Sequence, residues 1–288
     1  MSSSTPNGGA ALRIAILTYE SLQSRLIVQT LLDTFPHAIT GILASEVAIP
    51  GKRGWAAAWF LVRRTGLGFV GRKAIEIWLS RLAAWRNRAA PRSRALPSLR
   101  EMAARAGVPI VGVVDVNGPE AHARLAAWRP DLLVSVNFNQ RIEPQTTALA
   151  RRGAINVHGA LLPRYRGLFP YFWALADGAA ESGVTVHWID DHFDTGPVIL
   201  QERIAIDDDE TVFSLSLKGA RAGARLTARA IAMIADGAVP TTPQDLGAGN
   251  YCSWPTAADV RRLRRRGRRY GSLGEMWRAF HTRPRPYE

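Results

Sequence analysis

The chain has 288 residues, of which 47% are hydrophobic, and a formal net charge of +13 at pH 7. These values exclude a disordered or fibrous chain and leave room for one large α/β domain with an appendage, or for two modest domains. A single cysteine, Cys252, excludes a disulfide framework and a cysteine-based zinc cluster, so we expect a cytoplasmic protein from a reducing compartment.

The first half of the chain alternates short apolar runs with helical patterns. Residues 1–10 lack the basic start and apolar run of a signal peptide, and no apolar run approaches the ~20 residues of a membrane span. Strands are predicted at 12–18, 38–43, 109–114, 131–136 and 154–157, and helices at 21–32, 97–106, 119–128 and 144–151. Strands separated by single helices need crossover connections, so the prediction is a doubly wound, mostly parallel α/β sheet.

The pattern changes after residue 183. Two β-rich runs at 183–189 and 197–206 enclose an acidic loop, and a long helix is predicted at 211–235. Glycine, proline and threonine then indicate a linker, after which about 40 residues remain, too few for an ordinary independent domain. We expect a main domain over 11–235, a linker over 236–249 and a short Arg-rich extension over 250–288.

Positive charge is concentrated in two stretches. Residues 51–100 hold 12 basic side chains and one acid, Glu76, and residues 257–288 hold 10 arginines and three acids. Seven of the nine residues 261–269 are arginines, which fits a solvated helix and an anion site equally well. The remainder of the chain is mildly acidic. This pattern indicates an anionic partner at the two basic stretches rather than a uniformly basic nucleic-acid-binding protein.

Residues 51–98 are expected to form a basic, Trp-rich helical insertion. Four tryptophans fall in it: Trp55, Trp59, Trp78 and Trp85. Five apolar side chains recur at helical spacing in its second half: Ile75, Trp78, Leu79, Leu82 and Trp85. Three interpretations stay open: packing on the body or in a homodimer, membrane-surface contact through 52–98, and RNA contact. The second would place a cytoplasmic protein at the inner face of the membrane.

Polar side chains gather at the carboxyl end of the strand predicted at 154–157. Asn156 and His158 alternate on one face of that strand, where open α/β sheets place their ligands. Asp194 lies in a Gly-closed loop that can fold back toward them. These three groups suit acyl transfer. The amide can donate to an oxyanion, the imidazole can act as a base or a cation, and the carboxylate can accept a proton. The same residue types are also ordinary at strand ends and in turns.

These residues, in their order and spacing, resemble the folate-dependent formyltransferase family, which includes methionyl-tRNA, glycinamide ribonucleotide and amino-sugar N-formyltransferases. The family combines an Asn-x-His pair, a Leu-Leu-Pro loop closed by glycine, and a Gly-Val-Thr-x-His segment before an aspartate. The matching residues are Asn156, His158, Leu161, Leu162, Pro163, Gly167, Gly183, Val184, Thr185, His187, Asp194 and Gly196. The resemblance spans 12–235.

The resemblance implies a Rossmann-like catalytic domain over 11–235 that transfers a formyl group from 10-formyltetrahydrofolate, its co-substrate, to a primary amine. It implies catalytic roles for Asn156, His158 and Asp194, and leaves open whether His158 or Asp194 is the immediate base. It also implies a pterin pocket lined by Asn137, Phe138, Asn139, Gln140, Ile142, Ile189, Asp190, Asp191 and His192. We expect no metal, since no P-loop or metal-ligand cluster stands out.

The acceptor is expected to be a small amine that is anionic or sugar-linked. Arg164 and Arg166 follow the catalytic loop and suit an anionic group, because the guanidinium fork matches phosphate. By resemblance, Tyr251 and Trp254 flank the acceptor pocket. The stretch 18–24 lacks the Gly-Ser-Asn phosphate cradle of the members that take glycinamide ribonucleotide.

Two alternatives stay open. A basic insertion after the second strand is typical of members that act on methionyl-tRNA, but their C-terminal β-barrel domain is missing here, so nucleic acid is the less favoured partner. The second alternative is a ligand-binding protein on a formyltransferase scaffold, which has no transferase activity.

Overall fold

A seven-stranded sheet organises the described residues, which are 12–47, 54–90 and 95–281 of this computed structural model. The predicted units 11–235, 51–98 and 250–288 therefore each extend beyond the described residues. In chain order the strands are β1 (Ile14–Tyr19), β2 (Ile39–Ser45), β3 (Ile110–Val113), β4 (Leu132–Val136), β5 (Ala154–His158), β6 (Arg166–Gly167), β7 (Glu181–Trp188), β8 (Val198–Ala205) and β9 (Tyr251–Cys252).

The sheet is mostly parallel, with the strand order β3-β2-β1-β4-β5-β7-β8. The first five strands in chain order pair in parallel, and β7 and β8 extend the sheet antiparallel beyond β5. The two-residue strands β6 and β9 form a separate parallel pair. The predicted doubly wound, mostly parallel fold is confirmed.

Helices cover both faces of the sheet. In chain order they are α1 (Leu22–Thr34), α2 (Gly54–Thr65), α3 (Leu67–Ala89), α4 (Leu99–Ala106), α5 (Pro119–Trp128), α6 (Pro144–Thr147), α7 (Pro170–Asp177), α8 (Val212–Ala235), α9 (Ala257–Arg265) and α10 (Leu273–His281). Side chains alternate along β1: Ile14 and Ile16 pack in one core with α1 and α8, and Ala15 and Leu17 pack in another with α5. Each fully buried aliphatic side chain contributes about 1.5–3 kcal/mol.

Local sequence signals set most helix boundaries. Ser98 and Glu101 form a reciprocal capping box that starts α4, and Gly107 ends it in the left-handed region at φ 67°. The helix predicted at 144–151 is shorter, because α6 ends at Thr147 and the chain turns into β5 through Gly153, at φ 80°. Sequence patterns missed α7, a short helix without a polar face that would give it a period.

The basic insertion and the C-terminal extension pack together on the body. Phe69 and Leu79 of α3 and Met276 and Phe280 of α10 are buried in the same core as α8. Glu76, the one acid of residues 51–100, accepts a 3.1 Å hydrogen bond from the hydroxyl of Tyr270 and a 2.8 Å ion-pair contact from Lys73. This buried carboxylate therefore joins α3 to the segment between α9 and α10.

The predicted apolar face of α3 is divided in the structure. Leu79 is buried and Ile75 is half-buried, whereas Trp78 and Trp85 are 60% and 59% exposed. At 100° per residue, Trp78 and Trp85 lie on a different side of the helix from Leu79. The single face of five apolar residues predicted from the sequence is therefore wrong for the two tryptophans. No described helix has both the length and the apolar content to span a membrane.

Candidate active site

Asn156, His158 and Asp194 meet at the carboxyl end of β5. The Asn156 side-chain amide donates a 3.1 Å hydrogen bond to Oδ1 of Asp194, and Nδ1 of His158 lies 3.5 Å from Oδ2. The antiparallel pairing of β5 with β7 places His187 opposite Asn156. Side chains from two distant parts of the sequence thus form one buried polar cluster.

Asp194 reaches this cluster through a tightly held loop between β7 and β8. Its backbone φ of 56° lies in the left-handed region, which aspartate tolerates better than most residues. A side chain at Gly196 would place its Cβ 1.9 Å from the carbonyl oxygen of Trp188, so the close approach requires glycine. The Gln244 amide, from the predicted linker, donates to the carbonyl oxygens of Asp194 and Gly196 at 3.1 and 2.7 Å.

The Asp194 carboxylate is surrounded by donors. The backbone N–H of Gly167 donates a 2.8 Å hydrogen bond to Oδ2, and Nε2 of His187 lies 3.5 Å from Oδ1. Burial alone would raise the pKa of Asp194, but His158, His187 and the Gly167 N–H together hold it well below its usual range. The site therefore carries a fixed negative charge at neutral pH.

The hydrogen bonds of the two histidines fix the orientation of their rings. Nε2 of His158 is 2.8 Å from the carbonyl oxygen of Tyr165, an acceptor, so this nitrogen carries a hydrogen. Nδ1 then faces Asp194, and a proton there would be stabilised by the carboxylate. Nδ1 of His187 similarly donates to the carbonyl oxygen of Trp188 at 2.7 Å, and its Nε2 lies 3.2 Å from the side-chain nitrogen of Asn156.

A cleft of about 390 Å³ lies between α2, α7 and the segment 250–262. It is lined by the aromatic rings of Trp173, Tyr251 and Trp254 and by four charged side chains: Arg64, Asp177, Asp259 and Arg262. Its size suits a small molecule, and aromatic walls with a few charged groups are typical of small-molecule sites. Arg64 comes from the insertion and Arg262 from the extension, so both attachments help to build it.

Tyr251 connects the cleft to the polar cluster. Its ring lies against Gly167, where an added Cβ would be 2.9 Å from the ring, and it is 56% exposed. Burial and the nearby Asp194 carboxylate both raise the pKa of Tyr251. A molecule in the cleft would therefore contact a ring that adjoins the catalytic candidates.

The residues predicted to line a pterin pocket lie on two neighbouring loops. The guanidinium of Arg141 donates to the carbonyl oxygen of Asp191 at 2.9 Å and joins the loops. Asn137, Asp190, Asp191 and His192 are exposed, Phe138, Asn139, Gln140 and Ile189 are half-buried, and Ile142 is buried. The side chain of Gln140 bonds within the protein, to the Val116 N–H and the Ser45 hydroxyl at 2.9 Å each. The Gln140 side chain therefore holds the loop in place within the protein.

The two arginines predicted to bind an anionic acceptor differ in environment. Arg164 is exposed, and its guanidinium lies 5.4 Å from the centre of the Tyr165 ring. Nε of Arg166 is shielded from solvent and has no hydrogen-bond partner among the described residues. Neither arginine lines the cleft, whereas the predicted Tyr251 and Trp254 do.

Sequence reasoning missed several residues of this site. His187 was expected in the family pattern but not among the catalytic candidates, although it contacts both Asn156 and Asp194. The Gly167 N–H and the Gln244 amide form hydrogen bonds that depend on the folded backbone, so residue types alone do not predict them. Arg64 and Arg262 lie in basic stretches that were noted only for their charge.

Comparison with known proteins finds similarity to formyl transferases. Residues 105–231 match the model of the family described as formyl transferase. A glycinamide ribonucleotide transformylase 1 from Symbiobacterium toebii is 20% identical over 84% of this chain and 99% of its own, with a TM-score of 0.57. An N-formyltransferase from Helicobacter canadensis, solved with folinic acid and dTDP-3-aminofucose, is 18% identical over 84% and 71%, with a TM-score of 0.55.

A third solved structure is a sugar 3N-formyl transferase in the presence of dTDP and 5-N-formyl-THF. It is 18% identical over 84% of this chain and 70% of its own, with a TM-score of 0.53. At these identities the structural likeness shows the shared fold. Together with the family match over residues 105–231, it bears out the formyltransferase resemblance found in the sequence.

Proposed function

We propose that this chain, which carries a formyl transferase domain, transfers the formyl group of 10-formyltetrahydrofolate to the primary amine of a small acceptor that is anionic or sugar-linked. The observation that carries the proposal is the buried Asp194 carboxylate, which contacts Asn156 and His158. Gly167 donates to this carboxylate, and the ring of Tyr251 beside Gly167 lines a cleft of about 390 Å³. Two of the related structures hold formylated folates together with dTDP or a dTDP-amino sugar, which supports the same pair of ligands here.

In the proposed reaction the neutral amine nitrogen attacks the formyl carbon and forms a new C–N bond. The carbonyl electron pair moves to oxygen, and its return breaks the bond to the folate nitrogen, which leaves with a proton as tetrahydrofolate. The Asn156 amide donates to Asp194, and its nitrogen also lies 3.2 Å from Nε2 of His187. Asn156 therefore gives up one of these contacts and donates a hydrogen bond to the oxyanion instead. A proton on Nδ1 of His158 also stabilises the oxyanion.

The geometry favours different roles for Asp194 and His158. A carboxylate whose pKa is held well below its usual range is a weak base, so Asp194 acts mainly as a fixed charge. It attracts the substrate ammonium and stabilises a proton on Nδ1 of His158, 3.5 Å away. We assign the proton transfer from the amine toward the folate nitrogen to His158 and to water held between the two groups.

The pterin is proposed to bind between the loops 137–142 and 189–192. These loops are joined by the contact of Arg141 with Asp191; the first follows β4 and the second follows the antiparallel strand β7. Exposed backbone groups next to half-buried Phe138 and Ile189 offer hydrogen bonds to the edge of a flat ring and apolar contacts to its face. Gln140 is proposed to support the loop, because its side chain is already engaged within the protein.

The acceptor is proposed to occupy the cleft lined by Tyr251 and Trp254. Asp177 forms a 3.0 Å ion pair with Arg262, whose guanidinium also lies 5.6 Å from the centre of the Trp173 ring. Aromatic faces beside charged groups suit a ring that carries hydroxyl, amine or phosphate groups. Arg166, with its unpartnered Nε, is proposed to contact an anionic group of the acceptor at the edge of this site.

A pair of matched variants tests the proposal. Asp194→Asn removes the charge and keeps the shape and the left-handed backbone, and Asp209→Asn makes the same change at an exposed position outside the proposed site. We expect Asp194→Asn to lower tetrahydrofolate release by at least ~100-fold and Asp209→Asn to leave it within a few-fold. Near wild-type turnover by a folded Asp194→Asn enzyme would contradict the assignment.

The other acceptors and partners predicted from the sequence stay predictions. Initiator tRNA as acceptor would use the basic insertion, and a panel that includes charged initiator tRNA tests it. A binding protein without activity predicts folate binding and no formyl product with any amine. The homodimer is tested by sedimentation of the full chain, and the cytoplasmic location by fractionation of cells.

A further inference from the structure

Exposed tryptophans lie on three neighbouring helices, since α3 packs against both α2 and α10. We call the outer surface of these helices the tryptophan face and define it by its exposed indoles: Trp55, Trp59, Trp78, Trp85 and Trp277. Their side chains are between 42% and 91% exposed. Monomeric proteins rarely leave so many large apolar side chains together at the surface without a partner.

The helical geometry shows that this face points away from the core. Trp78, Arg81 and Trp85 follow one another at spacings of three and four residues, so they share one side of α3. Leu79 and Ala83, on another side of the same helix, are buried against the body. Because another side of α3 already packs against the body, Trp78 and Trp85 are not part of the hydrophobic core.

The charge of the tryptophan face is positive. Arg63, Arg81, Arg86 and Arg278 are exposed on the same three helices and form no ion pair within the part of the chain that the structure describes. The acids of these helices are Glu76, which is buried, and Glu275, which accepts a hydrogen bond from the backbone N–H of Ser272. No exposed carboxylate of α2, α3 or α10 offsets the arginines.

We propose that the tryptophan face binds the surface of an anionic lipid bilayer. Indole rings are favoured at the level of the lipid headgroups, and arginines bind the phosphates there. A second copy of the chain would bring two positive faces together, which is unfavourable. RNA would pair with the arginines but would leave the aliphatic side chains beside them, such as Ile77, without an apolar partner.

The tryptophan face and the acceptor cleft share helix α2. Arg64, which lines the cleft, donates a 3.1 Å hydrogen bond to the carbonyl oxygen of Trp254. It follows Trp59 by five positions, which is about 7.5 Å along the helix axis. Binding to a bilayer would therefore hold the cleft close to the lipid surface, whichever amine it accepts.

Co-sedimentation of the full chain with lipid vesicles tests the proposal. One set of vesicles is phosphatidylcholine alone, and the other also contains phosphatidylglycerol. We expect the chain to sediment with the anionic vesicles at low salt, to release as salt rises, and to stay in the supernatant with the neutral vesicles. The buffer contains no folate or amine, so the outcome is independent of formyl transfer.

Matched variants separate this face from charge in general. Arg81→Glu with Arg86→Glu, and separately Trp78→Ser with Trp85→Ser, should each weaken vesicle binding at least ~10-fold. Arg105→Glu with Arg124→Glu makes the same change of charge on exposed positions of α4 and α5 and should bind like the wild type. Circular dichroism with a thermal scan verifies that each variant is folded.

The proposal is overturned if the chain stays in the supernatant with anionic vesicles at low salt. It is also overturned if the control pair on α4 and α5 weakens binding as much as the pair on α3. Without vesicle binding, a dimer that the tryptophan variants dissociate would assign this face to a second copy of the chain, and retention of tRNA would assign it to RNA.

Discussion

The backbone N–H of Gly167 donates a 2.8 Å hydrogen bond to the carboxylate of Asp194, 27 residues further along the chain. Gly167 also pairs with Cys252 in the small parallel sheet of β6 and β9. One glycine thus joins the buried carboxylate to the segment that carries Tyr251. The position of Asp194 and the wall of the cleft depend on the same short strand.

Replacing Gly167 by alanine should damage the site. The residue has φ 92°, and an added Cβ would lie 2.3 Å from the carbonyl oxygen of Cys252, so the two strands must separate. We expect turnover to fall at least ~10-fold and stability to drop by about 1–3 kcal/mol. Gly71→Ala on α3, where an added Cβ meets nothing within 4 Å, is the control. Equal effects of the two substitutions would contradict this account.

The oxyanion and proton-transfer roles predict large effects of single substitutions. Asn156→Ala and His158→Ala should each lower the turnover number by about 10²–10³-fold, the usual scale for an oxyanion donor or a general acid/base. The Michaelis constant for the folate should change far less. Steady-state kinetics with both substrates varied provides the measurement, and a thermal scan shows whether each variant is folded. A loss confined to folate binding would instead place these residues in the pocket alone.

The lowered pKa of Asp194 predicts a specific dependence of stability on pH. Its ionised form contributes stability that is present above the unfolded pKa of about 3.9 and is lost as the pH falls through the lower pKa of the folded state. Relative to Asp194→Asn, the wild type should lose stability between about pH 4 and pH 2 and keep a constant difference above about pH 5. Urea unfolding of both proteins across this range checks it. Parallel curves would show that Asp194 does not titrate as described.

Tyr251 is expected to contribute to acceptor binding and not to folate binding. Tyr251→Ala removes an exposed ring from the cleft wall and should raise the Michaelis constant for the amine about tenfold, or about 1.4 kcal/mol. Tyr251→Phe keeps the ring and should stay within a few-fold of the wild type. An equal increase for the folate and the amine would indicate a general distortion of the loop.

Glu76 is expected to stabilise the contact between the insertion and the extension. Glu76→Ala leaves Lys73 and the Tyr270 hydroxyl without their shared partner and should destabilise the protein by about 3–5 kcal/mol. Tyr270→Phe removes one hydrogen bond and should cost about 1 kcal/mol. Denaturant unfolding of both variants tests the difference. Similar values for the two substitutions would mean that the carboxylate itself contributes little.

Much of the fold was predictable because its signals are local. The strands of the parallel half are short apolar runs, and capping residues such as Ser98 with Glu101 mark helix starts. Three of the elements that were missed have little local signal: α7 is apolar on all sides, and β6 and β9 contain two residues each. Strands this short are defined by their partners, which lie 85 positions apart between Arg166 and Tyr251.

The site was predictable only in part for the same reason. The spacing of Asn156, His158 and Asp194 carries the family pattern, so these residues could be chosen from the sequence. The contributions of the Gly167 N–H, the Tyr165 carbonyl and the Gln244 amide depend on backbone geometry, which residue types do not show. Arg64 and Arg262 come together from the two basic stretches only when both fold onto the body.

Transfer of the formyl group itself is the most direct test of the account. The wild type and Asp194→Asn would be incubated with 10-formyltetrahydrofolate and a panel of amines that includes sugar-nucleotide amines, glycinamide ribonucleotide and charged initiator tRNA. Tetrahydrofolate and the N-formyl product are then quantified, with and without a chelator. We expect equal amounts of the two products with at least one small anionic or sugar-linked amine, no effect of the chelator, and a loss of at least ~100-fold in Asp194→Asn. Folate binding without a formyl product from any amine, or undiminished transfer by Asp194→Asn, would contradict it.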